Sequence, residues 1–272
     1  MTLLSVENLT VGFGAERVVD GVAFSLGAGE RLGLIGESGS GKTLTALALA
    51  GLLPPEARAR GSVRLDSREL LGLRERSLAR LRGDRIGFVF QEPLTALNPS
   101  MRVGAQIVEP LRIHRGLARR PARAAAVELA ARVGLPDPDR IVRSYPHQLS
   151  GGQRQRAGIA IALACRPALI VADEPTTALD VTVQAEILRL LTGLVREDGS
   201  ALLFISHDLA VVAQVAERVA VMRDGRIIEE GPTLDVLRSP GEPYTKELVT
   251  AARALTWTGR PPGTAPETGG ES

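Results

Sequence analysis

The chain has 272 residues, 44% of them hydrophobic and 24% charged, with 33 Lys and Arg against 31 Asp and Glu. That length buries a full core in one large domain with room for a subdomain, and a net charge of +2 lacks the basic excess of a nucleic-acid-binding surface. The single cysteine, Cys165, excludes an intramolecular disulfide and reads as a small buried apolar residue.

The opening stretch "MTLLSVENLT" reaches Glu7 without a basic segment or a long apolar run, so it does not read as a signal peptide. The longest apolar stretch, "AGIAIALAC", is closed by Arg166 and Pro167, well short of the roughly 18–20 residues that a bilayer span needs. The expectation is a soluble, cytoplasmic chain. Apolar alternation over 6–11 and 18–26 predicts antiparallel strands, and "RLGLIG" a short buried strand that runs straight into a glycine-rich loop. A helix over 42–52 follows, stopped by Pro54 and Pro55. Further buried strands are expected at "RIGFVF", "ALIVAD", "ALLFIS" and "RVAVM", with an amphipathic helix over 183–195 between the middle two. Strands alternating with helices predict an α/β fold with a largely parallel sheet. Between Pro93 and Ala164 the sequence turns helical and arginine-rich, which predicts a helical insertion, and "MRDGRIIEEG" reads as a hairpin with an Asp-Gly turn. From Trp257 onward the composition falls to Thr, Gly, Pro and Glu, as in a flexible tail.

The chain holds only two lysines, Lys42 and Lys246, against thirty-one arginines. One of them stands in "GESGSGKT", which fits G-x-x-x-x-G-K-[ST] between the predicted strand and helix. Gly36, Glu37, Ser38, Gly39, Ser40 and Gly41 would let successive N–H groups curl around phosphate oxygens, and the helix N-terminus adds partial positive charge. Lys42 would set a compact ammonium between the outer phosphates, where a wide planar guanidinium fits badly. Thr43 would offer a hydroxyl to Mg²⁺. The strand "ALIVAD" ends in Asp173, a carboxylate suited to hold that cation, and the adjacent Glu174 can accept a proton from an attacking water. Alone, an apolar strand ending in Asp-Glu is an ordinary strand-to-turn transition. Beside a phosphate loop it reads as chemistry. Ser150, followed by Gly151 and Gly152, is an N-cap that presents a hydroxyl and free N–H groups.

"HQLSGGQRQR", 147–156, resembles the signature motif of the ATP-binding-cassette (ABC) ATPases, and the other elements of that family follow in order. Gln91 in "FVFQEP" looks like its Q-loop glutamine, Asp180 closing "TTALD" like its D-loop, and His207 in "FISHDL" like its switch histidine. Phe13 stands where the family has an aromatic, more often tyrosine, stacked on adenine. The resemblance implies a P-loop NTPase (RecA-like) core with an N-terminal antiparallel β subdomain and an inserted helical subdomain. An ABC ATPase domain is expected over 1–256, with the core at about 1–92 and 165–256, the helical part at about 93–164, and a flexible tail at 257–272. It implies ATP and Mg²⁺ as cofactors, the cation on Thr43, Gln91 and Asp173. Glu174, His207 and Gln91 would carry catalysis. Ser150, Gly151, Gly152 and Gln153 would bind the γ-phosphate held by a second cassette's loop, with Asp180 beside them.

"QEPLTALNP", "DEPTTALDVTVQAEIL", "SHDLAVVAQVAERVAVM" and "PYTKEL" look like the ATP-binding subunits of peptide and nickel importers. Those subunits work with a second cassette of the same or a related kind, two integral membrane permeases and an extracytoplasmic solute-binding protein, at the cytoplasmic face of the membrane and without nucleic acid. Two departures stand out. Glu242 replaces the usual histidine before "PYT", and no cysteine follows Cys165, so the iron–sulfur cluster implied for longer members is not expected. The alternative is a cytosolic ABC scaffold ATPase of the iron–sulfur assembly kind.

Overall fold

A computed structural model describes residues 2–92, 97–177 and 179–257. Two long strands open the chain, β1 (Thr2–Phe13) and β2 (Glu16–Gly27). β3 (Arg31–Ile35) then runs through a loop at 36–41 into α1 (Lys42–Ala50), which ends at Gly51 in the left-handed region. β4 (Ala57–Leu65), β5 (Arg68–Glu69), α2 (Glu75–Leu81) and β6 (Ile86–Val89) follow. Beyond β6 the described elements are helical as far as Leu163: α3 (Val103–Ile107), α4 (Glu109–Arg115), α5 (Arg119–Arg132), α6 (Pro138–Ile141), a 3₁₀ turn at Pro146–Gln148 and α7 (Gly151–Leu163). Alternation then resumes with β7 (Leu169–Asp173), α8 (Val181–Asp198), β8 (Ala201–Ser206), α9 (Leu209–Val215), β9 (Arg218–Arg223) and β10 (Arg226–Pro232). The described chain closes with α10 (Thr233–Arg238) and α11 (Pro243–Trp257).

The strands form two sheets, β2-β1-β4-β5 and β10-β9-β3-β8-β7-β6. The first is antiparallel throughout. In the second, β9, β3, β8, β7 and β6 are mutually parallel, and only β10 turns back, through Asp224 and Gly225, which both take positive φ as a tight hairpin requires.

Buried strand residues point alternately to two cores. Leu203 and Ile205 face the core shared with β1, β2 and α1, while Leu202 and Phe204 face the core built with α7, α8 and α9. The helix after β3 therefore lies on one face of the parallel sheet and the helices after β7 and β8 on the other. This change of side beside β3 is a topological switch, and the crevice it opens at the strands' carboxyl ends is where open α/β sheets bind ligands.

The sequence reading has no counterpart for β4, β5, α2, α9, α10 or α11, and two of these are instructive. β4, "ARARGSVRL", alternates Ala57, Ala59, Val63 and Leu65 with arginines, and its identity as a strand comes from pairing with β1 rather than from its own composition. α11 carries the described chain in helical form to Trp257, where a tail was expected to begin; the rest of that expected tail, 258–272, lies outside the described residues. Cys165 is buried and free.

Phe204 is fully buried at the centre of the parallel sheet. Phe204→Ala is expected to cost about 3–5 kcal/mol of unfolding free energy in a urea titration. A cost under about 1 kcal/mol would contradict this packing.

Candidate functional site

The crevice beside β3 is a cavity of about 580 Å³, lined by the loop after β3, by Thr43 and Leu44 of α1, and by Val18, Gln91, Glu174, His207 and Leu248. The loop's shape depends on residues without side chains. A Cβ on Gly36 would stand 2.1 Å from the carbonyl oxygen of Met222 in the neighbouring strand β9, so only glycine lets the chain leave β3 this close to the sheet. Gly41, the N-cap of α1, has φ 100°, and a Cβ there would meet Met222 Cε at 2.9 Å and Val18 O at 3.0 Å. The loop is also tied from outside: Gly225 N–H donates to Ser40 O at 3.2 Å, and Glu37 N–H donates to the Tyr244 hydroxyl oxygen at 2.9 Å.

Lys42 is 4% exposed. Its Nζ donates to the carbonyls of Gly36 at 2.8 Å and Glu37 at 2.7 Å, and to Ser40 Oγ at 3.4 Å. Burial pushes the ammonium below the ordinary lysine range, against the pull of Glu174, Asp173 and Glu37. Across from it, Thr43 Oγ1 donates to Asp173 Oδ1 at 3.3 Å, at the carboxyl end of β7. Asp173 is also 4% exposed. Burial pushes its carboxyl above the usual range; the Thr43 hydrogen bond opposes this and the neighbouring Glu174 charge adds to it.

Glu174 leaves β7 with φ 43°, unusual for a residue with a side chain, and its N–H donates to Ile205 O of β8 at 3.0 Å. That turn points the carboxylate along the cavity wall. Gln91 Nε2 donates to Oε2 at 3.3 Å and Thr177 Oγ1 donates to the same oxygen at 2.9 Å. His207 Nδ1 lies 3.2 Å from Oε1. Gln91 comes from the end of β6 and His207 from the end of β8, so three strand ends converge on one carboxylate.

Chemically the cavity offers a glycine-rich loop at a helix start, one buried ammonium, and a carboxylate pair with a hydroxyl alongside. These groups fit a polyphosphate with a hard, oxygen-seeking cation. Among the described residues no cluster of three or more His, Cys, Asp or Glu could cage a metal alone.

The structure gathers Gly36, Glu37, Ser38, Gly39, Gly41, Lys42, Thr43, Gln91, Glu174 and His207 around this cavity, with Asp173 and Ser40 bonded to its lining. Phe13 is not among the lining residues. It is half-buried at the end of β1, paired with Glu16. Val18, the extra residue of a bulge between the Val11–Val19 and Gly12–Arg17 pairs, reaches the cavity instead. Ser150, Gly151, Gly152, Gln153 and Asp180 also lie outside the lining. Ser150 Oγ accepts from Gln153 N–H at 3.3 Å while Gln153 Oε1 accepts from Ser150 N–H at 3.0 Å, a reciprocal cap at the start of α7. Asp180 Oδ1 caps α8 by accepting from Val183 N–H at 3.0 Å. The two helix starts are neighbours, since a Cβ on Gly152 would stand 2.9 Å from Val183 Cγ1.

The sequence reading missed Val18, Thr177, Tyr244 and Leu248. Tyr244 and Thr177 sit inside quoted motifs, "PYTKEL" and "DEPTTALD", which was the available signal; Val18 and Leu248 carry none.

The ABC transporter family description matches residues 19–177. The chain is 47% identical over 272 aligned positions to the oligopeptide transport ATP-binding protein of Salmonella typhimurium, covering 96% of this chain and 81% of that protein. It is 45% identical over 254 positions to the dipeptide transport ATP-binding protein of Haemophilus influenzae, covering 92% and 77%. Among solved structures, it is similar to a dimeric ATP-binding cassette in a post-hydrolysis state bound to ADP and Pi, with a TM-score of 0.75 and 32% identity, covering 85% of this chain and 99% of that one.

Asp173→Asn keeps the acceptor for Thr43 and removes a carboxylate that the fold holds at a cost. Because the folded state raises this carboxyl above 3.8, the cost is present above the folded value and vanishes below the unfolded one. The substitution is expected to stabilise the nucleotide-free chain by about 1 kcal/mol at neutral pH, the advantage fading as pH falls through the carboxylate range. Denaturant titrations at pH 7 and pH 3.5 check it. A destabilised Asn variant at pH 7 would contradict the assigned strain.

Proposed function

The chain belongs to the ABC transporter family as an ATP-hydrolysing, transport-coupled subunit, and we propose that it energises the uptake of peptides or nickel through partner permeases. One observation carries the reading of its own chemistry: Lys42, at the start of the helix after β3, and Glu174, just past the end of β7, line a single cavity, with Asp173 bonded to Thr43 in its wall.

In this proposal ATP enters with its phosphates along the loop from Gly36 to Thr43, and its base leaves past Val18 toward the hairpin that ends β1 at Phe13. Lys42 exchanges the carbonyls of Gly36 and Glu37 for the outer phosphates. The ammonium is already desolvated, so its attraction for developing negative charge is strong at no reorganisation cost beyond that exchange. Thr43, Asp173 and Gln91 would hold Mg²⁺, which supplies a counter-charge to the β- and γ-phosphates when bound. Glu174 accepts the proton of the attacking water, Gln91 and His207 steer it, and His207 meets the γ-phosphate.

One chain does not complete this site. Ser150, at the start of α7, is exposed, as is Asp180's neighbour Val181, at 83%. An apolar side chain left this open beside two helix N-termini supports a second cassette on this face, whose loop would present its γ-phosphate to Ser150, Gly151, Gly152 and Gln153. The dimeric state of the similar cassette supports the same reading. The second cassette is a copy of this chain or a related one.

The core would comprise about 1–92 and 165–256, with 93–164 as a helical arm that carries Ser150. No helix among the described residues is long and apolar enough to cross a membrane. Two integral membrane permeases would supply the path, an extracytoplasmic solute-binding protein the solute, and the cassette would work at the cytoplasmic face. The scaffold-ATPase alternative is not favoured: the relatives named for oligopeptide and dipeptide transport match 92–96% of the chain.

Glu174→Gln keeps the size and a hydrogen-bonding group but removes the base. With Mg²⁺ and ATP this variant is expected to elute as a dimer on sizing, alone or with its partner cassette, because unhydrolysed nucleotide stays in place and bridges the two cassettes. Adding Ser150→Arg, which fills the phosphate-facing cap, should return it to monomer. A Glu174→Gln chain that hydrolyses ATP at the unmodified rate would contradict the role given to Glu174.

A further inference from the structure

The segment "PYTKEL" serves no step described so far, yet it is bound to the phosphate loop. Tyr244, in the first turn of α11, is 4% exposed, and its hydroxyl oxygen accepts the Glu37 N–H at 2.9 Å. Arg223, at the end of β9, lies over its ring with the guanidinium carbon 4.8 Å from the centroid. One turn further along α11, Leu248 lines the cavity itself. The start of the helix is fastened independently, since Glu229 of β10 accepts the N–H groups of Gly241 at 2.8 Å and Glu242 at 3.1 Å. α11 is therefore anchored to the parallel sheet at one end while its side chains touch the nucleotide cavity.

Glu37 is the hinge of this arrangement. Its carbonyl accepts from Lys42 Nζ and its N–H donates to Tyr244, so one residue is tied on both sides. When Lys42 turns to a phosphate, the first tie is lost and the second remains. We propose that Tyr244 is a positioning residue that keeps the loop curled as Lys42 changes partners, and that through it nucleotide binding and the order of α11 are linked. The proposal rests on the reading of the cavity as a nucleotide site and adds a regulatory element to it. Linkage is reciprocal: if an ordered α11 favours the binding-ready loop, a bound nucleotide must order α11 to the same extent. A partner that grips or releases α11 would thereby set nucleotide affinity.

The test is amide hydrogen exchange of the full chain over 243–252, with and without Mg²⁺ and ADP, a nucleotide that carries phosphates and needs no hydrolysis. In the unmodified chain, ADP is expected to slow exchange in α11 at least threefold. Tyr244→Phe keeps the ring beneath Arg223 and removes only the hydroxyl; it should raise the ADP dissociation constant about fivefold and abolish the slowing. A merely buried tyrosine would alter stability without altering this nucleotide-dependent difference. Exchange in α11 that ADP leaves unchanged in the unmodified chain overturns the proposal whether or not the variant folds, and so does a Tyr244→Phe chain that keeps both affinity and slowing. An unmodified chain that binds no ADP overturns the nucleotide reading beneath it, which separates the two failures.

Discussion

The site depends on a buried ammonium that the fold has stripped of water. Among the described residues Lys42 hydrogen-bonds to the carbonyls of Gly36 and Glu37 and to Ser40 Oγ, with Asp173 and Glu174 near enough to act on it through charge. Neutral carbonyls satisfy its protons but not its charge, and the carboxylates it faces are themselves out of water or fixed by neighbours. A buried charge held this way is costly, and the cost falls when a polyanion arrives. The loop around Lys42 is built to keep that charge in place: Gly36 passes the sheet at a distance no Cβ allows, and Ser40 and Glu37 are held from β10's turn and from α11.

The rest of the architecture sets what stands opposite the lysine. β3, β8, β7 and β6 lie side by side with their carboxyl ends together, so the loop, His207, Asp173–Glu174 and Gln91 each arrive from a different strand at one edge. Their mutual distances follow from strand spacing and need no flexible connection. Glu174 shows how tightly this edge is specified, since its positive φ is maintained by a hydrogen bond to β8 and its carboxylate by three separate side chains. The helical stretch from α3 to α7 carries Ser150, exposed at the start of α7 and outside the lining of that cavity.

Much of this was legible in the sequence because it is local. "GESGSGKT" encodes its own turn through glycines at fixed spacing, and "ALIVAD" declares a buried strand by an unbroken apolar run, so the loop and Asp173 could be read directly. What stayed hidden depends on distant partners. β4 is a strand because β1 offers it an edge, and its arginines mask the alternation. Val18 reaches the cavity through a bulge whose register no single strand reveals. Tyr244 meets Glu37 across 207 positions of chain, and only the packing of α11 brings them together. Phe13, chosen by resemblance, was legible as a position but not as a member of the lining.

A chain written almost entirely in arginine keeps lysine at 42 for its geometry. A guanidinium in the same place carries the same charge but is planar and wider than the ammonium that Gly36 O, Glu37 O and Ser40 Oγ surround at 2.8, 2.7 and 3.4 Å. The direct measurement is ATP turnover and ATP affinity of Lys42→Arg beside the unmodified chain, with both folds verified by thermal melting. The account predicts at least a hundredfold loss of turnover with weakened binding despite the retained charge. Full turnover in the arginine variant would show that charge alone suffices and that the shape of the loop around Lys42 is not what the site requires.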